Sequence, residues 1–488
     1  MITINSDALS RPDPSEHYLK VRHYLSNDNE NVSIVVQAFG RADKTKTCIE
    51  CILKYTGPGY KLYILDNGTP DDSIIDLYNE IEYENKELIK FTKNITGVFA
   101  VNKVLHLLAT KYIAWINNDI VVTTNWLDNM LTCMNSDDRI GMIVPVSANT
   151  SNFQGEDLGG FSNFTEMQRK AALFNKSDPR KWEERIRLIP TATLYRREIF
   201  DVVGLYDSGF MHDFGDDDFT FRVRRAGYKL IVCGDTYVHH DHPPKPLTTE
   251  QINVQNNSRL YFKEKFKGVD AWDDTVNTIE YFFEKAQISD NGDNRIIAFD
   301  VKCGQPILDA KNTYRKQGYR IDYIKSITSD VKYYTDLVSI SNEVVCKNIE
   351  QAAGEENGTY DVVIVGEPIN ALDNPEKMLL NLSRLKKEKG VIICSVKNVL
   401  DFSSFFNILD IGTKKNTSNC KLFSYDNVAK ILGKCININS MEVIPIMYKN
   451  ENESKKLVTA LLDNIPLNKD KSVIIDKIMT EMYWLIII

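Results

Sequence analysis

The chain has 488 residues, a length that points to two to four domains, each able to bury its own core. At 43% hydrophobic and 26% charged residues its composition is that of a folded globular protein, which excludes disordered, collagen-like and repeat-biased classes. Lysines and arginines number 59 against 67 aspartates and glutamates, a net charge of −8, so no global basic field draws the chain to nucleic acid or anionic lipid.

The 9 cysteines are odd in number and scattered, which fits reduced thiols in a cytoplasm better than a secreted disulfide framework. From Met1 to Lys20 polar and acidic residues alternate, without the apolar run of a signal peptide. No stretch reaches the roughly 18 apolar residues of a membrane helix. The run Tyr483 to Ile488 is too short to span and is expected to pack into a core or interface.

Short β-branched runs alternate with amphipathic stretches from Val32 to about His242, which predicts a mostly parallel α/β sheet. Val32 to Val36 reads as a buried strand. Lys44 to Tyr55 places Cys48, Ile49, Ile52 and Leu53 on one helical face, stopped by Gly57-Pro58. Lys61 to Leu65 is a second strand ending at Asp66-Asn67-Gly68. A helix over Val98 to Thr110 leads into a third, Tyr112 to Ile116, ending at Asn117-Asn118-Asp119. Polar residues thus gather at carboxyl ends of successive strands, the edge where open α/β sheets bind ligands. Phe153 to Glu184 is polar and glycine-bearing, a candidate acceptor loop, though loops of this length often hold a helix.

Beyond His242-Pro243-Pro244-Lys245-Pro246 a helical stretch is expected from Thr249 to Ala286, then a linker over Ser289 to Asn294. A second α/β unit begins with strand Ile296 to Phe299 and continues with strand Asp361 to Val365 and a helix from Pro375 to about Lys389. Gly390 is expected to cap that helix before strand Val391 to Cys394.

Three clusters carry chemistry. Asp119 ends a strand, where a carboxylate either caps a turn or holds a cation that holds a diphosphate. Asp216-Asp217-Asp218 are adjacent carboxylates whose repulsion needs a cation, arginines or a helix N-terminus, or mark a solvated helix start. His239-His240-Asp241-His242 combines imidazole and carboxylate, suited to an ion such as manganese. Cys48-Ile49-Glu50-Cys51 has metal-like spacing but no partner pair and reads as a core helix face. Trp126 either stacks on a sugar or fills core.

In this order, Val32 to Val36, Leu65-Asp66-Asn67-Gly68, Ile116-Asn117-Asn118-Asp119 and Gly215 to Phe219 through Arg224-Arg225-Ala226-Gly227-Tyr228 resemble the family 2 glycosyltransferases of the GT-A fold, over about Val32 to His242. The resemblance implies a Rossmann-like, mostly parallel sheet and an inverting transfer from a nucleotide-sugar. It gives donor-binding roles to Gln37, Phe39, Arg41, Asp66, Asn102 and Asn118, and metal binding (Mn2+ or Mg2+) to Asp119 with His240, or alternatively His239. Asn117 stands where the family has an aspartate. Asp216 matches the catalytic base, with Asp217 one residue away as the alternative; a carboxylate nucleophile would instead give retention.

From Arg295 to about Ile446 the chain resembles the S-adenosylmethionine-dependent methyltransferase fold, carried by Tyr360 to Gly366, Asn374 to Lys377 and Lys389 to Asn398. The glycine-rich cofactor turn is replaced by Lys302-Cys303-Gly304-Gln305-Pro306, and the ribose-binding acid by Lys325, so S-adenosylmethionine is not expected to bind. The expected organisation is an N-terminal extension at 1–30, a GT-A domain at 31–245, a helical connector at 246–292, a methyltransferase-like domain at 293–448, non-catalytic, and a C-terminal helical tail at 449–488.

The expected activity is cytoplasmic transfer of a sugar, N-acetylhexosamine such as GlcNAc, from a UDP-sugar donor to an acceptor hydroxyl. The acceptor is a cell-surface glycan or, by protein O-glycosylation, a serine or threonine of a bacterial surface protein such as flagellin. Alternatives are a bifunctional glycosyl and methyl transferase and a non-catalytic scaffold. Neither nucleic acid nor an integral membrane segment is expected, and a second copy of the chain is a candidate partner.

Overall fold

The computed structural model describes residues 1–4, 32–95, 97–108, 110–210, 213–241, 246–275, 290, 292–398, 401–402, 441–447, 451–463 and 470–488. Two compact units divide the chain, Met1–Thr275 and Val276–Ile488. His242, most of the 1–30 extension and the end of the connector lie outside the described residues.

The first unit runs β1 (Ile2–Ile4), β2 (Val32–Ala38), α1 (Ala42–Tyr55), β3 (Tyr60–Asp66), α2 (Ser73–Glu80), β4 (Lys86–Phe91), α3 (Gly97–Val104), β5 (Tyr112–Asn117) and β6 (Ile120–Val121). It continues with α4 (Trp126–Met134), β7 (Ile140–Ser147), α5 (Phe164–Phe174), β8 (Trp182–Arg185), β9 (Ala192–Arg196), α6 (Ile199–Val203), α7 (Gly215–Arg225), β10 (Lys229–His240) and α8 (Thr249–Lys265). The strands form one sheet in the order β1-β4-β3-β2-β5-β9-β7-β10-β6, with β8 on β10. Pairings from β1 to β5 are parallel; β9 is antiparallel to both β5 and β7.

Period two explains why β2 is central. Val32, Ile34 and Val36 join the core under α1, while Val35 points into the core on the other face. On α1, Thr45, Cys48, Ile49 and Ile52 are buried at helical spacing. Burial pushes the Cys48 thiol up and Cys51 up to about 11, so these are packing residues and not thiolate ligands. Trp126 is buried and its indole N–H donates to Thr56 Oγ1 at 2.9 Å, which makes it core and not a sugar platform.

Several boundaries differ from the sequence reading. The third helix stops at Val104 and ends in a 3-10 turn, Leu105–Leu107. The expected acceptor loop contains α5 and β8. The connector helix α8 packs inside the first unit through Phe262, which lies against Phe214, Phe221 and Phe266.

The second unit comprises β11 (Arg295–Phe299), α9 (Gln305–Lys316), β12 (Tyr323–Thr328), α10 (Tyr334–Val338), β13 (Glu343–Cys346), α11 (Ile349–Glu355), β14 (Tyr360–Val365), α12 (Pro375–Leu385) and β15 (Lys386–Lys397). After it come β16 (Met441–Met447), α13 (Glu451–Leu462), α14 (Lys471–Met479) and β17 (Thr480–Ile487). The sheet order is β13-β12-β11-β14-β15-β17-β16, parallel as far as β15 and antiparallel beyond. The expected helical tail therefore ends in a strand: the apolar run at the C-terminus fills the sheet between β15 and β16. Gly390 does not cap a helix. It lies within β15, where a Cβ would come 2.9 Å from the Tyr360 carbonyl oxygen of the neighbouring strand. Two mostly parallel α/β units are what the alternating pattern predicted.

Candidate active site

Strand order reverses between β2 and β5, because β3 and β4 extend the sheet on one side of β2 and β5 lies on the other. That switch opens a crevice at the carboxyl ends of the two strands, where Gln37 sits opposite Asn117. A cavity of about 360 Å³ occupies this edge, lined by Gln37, Trp115, Asn117, Thr191, Tyr195, Tyr206 and Asp216 among others. The Trp115 indole N–H donates to Gln37 Oε1 at 3.0 Å, which leaves the amide nitrogen of Gln37 as its free donor group. Gly97 borders the same amide, and a Cβ there would come 3.0 Å from Gln37 Nε2.

The acidic cluster begins α7. Phe214, at φ 67°, is the residue before it, and Asp216, Asp217 and Asp218 fill the first turn, where the helix N-terminus favours negative charge. The three carboxylates have separate fates. Asp218 is buried, accepts from Arg222 Nε at 2.9 Å and pairs with Lys265 Nζ at 2.5 Å. Asp217 is buried, with Oδ1 held by Arg187 NH1 at 3.1 Å and Oδ2 by Trp272 Nε1 at 3.2 Å. Asp216 alone lines the cavity. Burial, then the neighbouring Asp217 charge, push its carboxyl up to about 7. Tyr195 and Tyr206 share a 3.0 Å hydroxyl contact beside it, and burial pushes Tyr195 up to about 12.

Asp119 follows two residues after Asn117, which lines this cavity. It borders a smaller pocket of about 150 Å³ with Lys44, Asn118 and Asp241. The short β6 explains its surroundings: Ile120 pairs with His240 of β10, which brings His240 Nε2 to 3.7 Å from Asp119 Oδ1. Arg41 NH1 stands 3.6 Å from the other oxygen. Burial works against the Asp119 charge, yet His240 and Arg41 outweigh it and hold the carboxyl below its usual range. His239 turns the other way, its Nδ1 3.2 Å from the Tyr237 hydroxyl and its ring against Phe161 and Phe164.

A separation of 3.7 Å lets one carboxylate oxygen and one imidazole nitrogen reach a single ion at about 2.1 Å each. Among the described residues no group of three or more His, Cys, Asp or Glu is arranged around a metal. A cation held by this pair would need its other positions filled by substrate phosphate and water.

Two of the expected donor ligands are committed elsewhere. Asn102 Nδ2 donates to the Tyr206 carbonyl at 2.7 Å and its Oδ1 accepts the Tyr206 N–H at 2.8 Å, so this side chain anchors the wall of the cavity. Asn118 Nδ2 donates to Thr45 Oγ1 at 2.9 Å, tying β5 to α1. Asp66 is fully buried, with Oδ1 accepting the Thr69 N–H at 2.8 Å and Lys90 Nζ 3.8 Å from Oδ2. It lines neither of the two pockets, and Phe39 projects 47% exposed beyond β2. Asp216 thus lines the larger pocket and Asp119 the smaller one, with Asn117 and Asn118 joining the two along the chain.

Sequence reasoning missed Arg187, Trp272 and Lys265. The requirement for compensating charge was legible in the three adjacent aspartates, but nothing local names partners that lie 30 to 55 residues away.

In the second unit, Gly304 at φ 92° is covered: a Cβ there would lie 2.3 Å from Ile340 Cδ1. Lys325 is paired with Glu343 at 2.8 Å and Glu356 at 2.9 Å. Asp300 accepts from both the backbone N–H and the hydroxyl of Ser329 at 2.6 Å.

The family model described as Glycosyl transferase family 2 matches residues 33–204. The chain is 29% identical over 133 residues to the ubiquinone biosynthesis O-methyltransferase of Rickettsia typhi, covering 27% of this chain and 53% of that protein. It is 22% identical over 229 residues to the glycosyltransferase GlyG of Streptococcus pneumoniae serotype 4, covering 46% of this chain and 74% of that one. Among solved structures, the mannosyltransferase PcManGT from Pyrobaculum calidifontis, in complex with GDP-Man and Mn2+, matches with a TM-score of 0.35 and 12% identity over 70% of this chain and 83% of that one. The chain spans about half the length of the curated methyltransferases it matches first.

Proposed function

We propose that the first unit, which carries a family 2 glycosyltransferase domain over residues 33–204, transfers a sugar from a UDP-sugar to an acceptor hydroxyl with inversion. The observation that carries this reading is the placement of Asp216: of three adjacent carboxylates it alone faces the cavity, with no side-chain cation bonded to it among the described residues and with a proton affinity suited to a base near neutral pH. Asp216 takes the hydroxyl proton as the acceptor oxygen bonds to the anomeric carbon and the bond from that carbon to the diphosphate oxygen breaks. Asp217 and Asp218 are both held by cationic partners, which removes them as nucleophiles, while Asp213 lines the cavity with Asp216; inversion by single displacement follows from the family resemblance.

Asp119 and His240 would hold a divalent cation, Mn2+ or Mg2+, which supplies positive charge for the departing diphosphate. Gln37, with its amide nitrogen turned to donate, and Asn117 bind donor oxygens at the switch between β2 and β5. Asp66 remains the candidate for the base of the nucleotide. N-acetylhexosamine as the sugar follows from the family resemblance, and a surface glycan or a serine or threonine of a protein such as flagellin is the acceptor to test, the second domain favouring a protein. In the second unit the covered Gly304 and the doubly paired Lys325 support a domain that does not bind S-adenosylmethionine.

A screen of UDP-, GDP- and CDP-sugars for hydrolysis and for transfer with Mn2+ tests the reading, with purified flagellin and extracted surface glycan as acceptors. Turnover of a UDP-sugar that is lost in Asp216→Asn is expected. Equal rates in the two proteins would remove the base assignment, and calorimetric binding of S-adenosylmethionine to the full chain at micromolar concentration would overturn the reading of the second unit.

A further inference from the structure

The chemistry assigned to Asp216 leaves its neighbour without a role, although Asp217 is the more elaborately held of the two. Each of its oxygens has one dedicated donor: Arg187 NH1 on Oδ1 at 3.1 Å, and Trp272 Nε1 on Oδ2 at 3.2 Å. The Trp272 ring also stacks on Phe214, with centroids 4.6 Å apart and planes at 25°. Phe214 is the residue that starts α7 at φ 67°, a left-handed conformation that a bulky side chain keeps only under tight packing, and it is 1% exposed. Trp272 lies beyond the matched residues 33–204, in the segment after α8. Two independent contacts from one side chain therefore fix both the backbone at the start of α7 and the carboxylate next to the base.

We propose that Arg187, Asp217 and Trp272 form a positioning unit that turns the second carboxylate away from the cavity and orients Asp216 alone towards the acceptor hydroxyl. The proposal rests on the reading of Asp216 as base. Burial acts first on this pair, and the groups that face it are Arg187, Trp272, Asp213 and the Tyr195 and Tyr206 hydroxyls, together with the two aspartates themselves. Asp217 contributes a like charge beside Asp216, so its neutral isostere must make Asp216 a weaker base that ionises at lower pH.

The test uses the full chain with Mn2+ and UDP-GlcNAc, or whichever UDP-sugar the screen shows is turned over, and compares Asp217→Asn and Trp272→Phe with the parent. In Asp217→Asn the acidic limb of the rate profile is expected to move about one pH unit lower, with the plateau kcat reduced about tenfold but not abolished. Trp272→Phe keeps an aromatic ring against Phe214 while removing the N–H donor and part of the indole; it is expected to lose about tenfold to a hundredfold in kcat with KM within about twofold. Loss of turnover at every pH in Asp217→Asn would make Asp217 the base and overturn the proposal. An unmoved pH profile in Asp217→Asn, or an unchanged kcat in Trp272→Phe, would reduce the unit to packing. A donor-free arm separates this proposal from the glycosyltransferase reading: melting of Asp216→Asn is followed against pH in the parent and Asp217→Asn backgrounds. If no nucleotide-sugar is turned over, the enzymatic reading fails. The positioning unit still stands if the stabilisation gained above pH 7 shrinks by about half without Asp217, and falls if it is unchanged.

Discussion

Replacing Asp216 by asparagine is expected to stabilise the protein while disabling it. The Asp216 carboxyl is raised from 3.8 to about 7 in the folded chain, so folding favours its neutral form. Its stabilising contribution is fully present below about pH 4 and is lost as pH rises through 7. A difference of about 3 pH units corresponds to about 4 kcal/mol at most. Asp216 borders an open cavity and shares its repulsion with Asp217, so about 2 kcal/mol is the reasonable expectation at pH 8. Asparagine, a permanently neutral near-isostere, escapes that cost. For a unit of this size the melting transition should rise by about 4–8 °C at pH 8, by about a quarter of that at pH 4.5, and by almost nothing below about pH 3.5. Over the same substitution kcat should fall by about 10²–10⁴, the contribution of a general base. Thermal melts across pH 4.5 to 8.5, paired with donor turnover, measure both. A destabilised variant at pH 8, or a melting shift that does not vary with pH, would refute the claim that Asp216 is held against its own ionisation for function.

Three further outcomes follow from the geometry. Turnover by the parent should rise with pH through an apparent pKa near 7, because the base must be unprotonated, and a flat profile between pH 5.5 and 8 would contradict it. Asn102→Ala removes both bonds to the Tyr206 backbone and leaves a buried N–H and C=O unmet, which should cost about 1–3 kcal/mol in chemical denaturation and also slow turnover by loosening the cavity wall. His240→Ala should raise the Mn2+ concentration for half-saturation by at least about tenfold, read by electron paramagnetic resonance of free Mn2+ as well as by activity; unchanged Mn2+ binding would remove His240 from the ligand set.

The methyltransferase-like unit gives the clearest contrast between local and distant information. Its early strands were legible because runs such as Ile296 to Phe299 and Asp361 to Val365 are buried on both faces and need no partner to be recognised. Gly390 misled because a glycine after an amphipathic stretch reads as a helix stop, whereas its use is to let β15 pass close to β14.

In the first unit the sequence alone determined the alternation of strand and helix, the gathering of Gln37, Asp66 and Asn117 at strand ends, and the acidic turn that must be compensated. These properties depend on residues close together in the chain, where periodicity and repulsion act directly. Tertiary structure decided which carboxylate is left over. Asp216 and Asp217 are chemically identical neighbours, and they differ because Arg187 and Trp272, 30 and 55 residues away, hydrogen-bond to Asp217, while Asp216 faces the cavity. It decided likewise that Asn102 and Asn118 brace the walls rather than face the cavity, and that His240 and not His239 meets Asp119, since the pairing of β6 with β10 sets which face of the strand each histidine occupies.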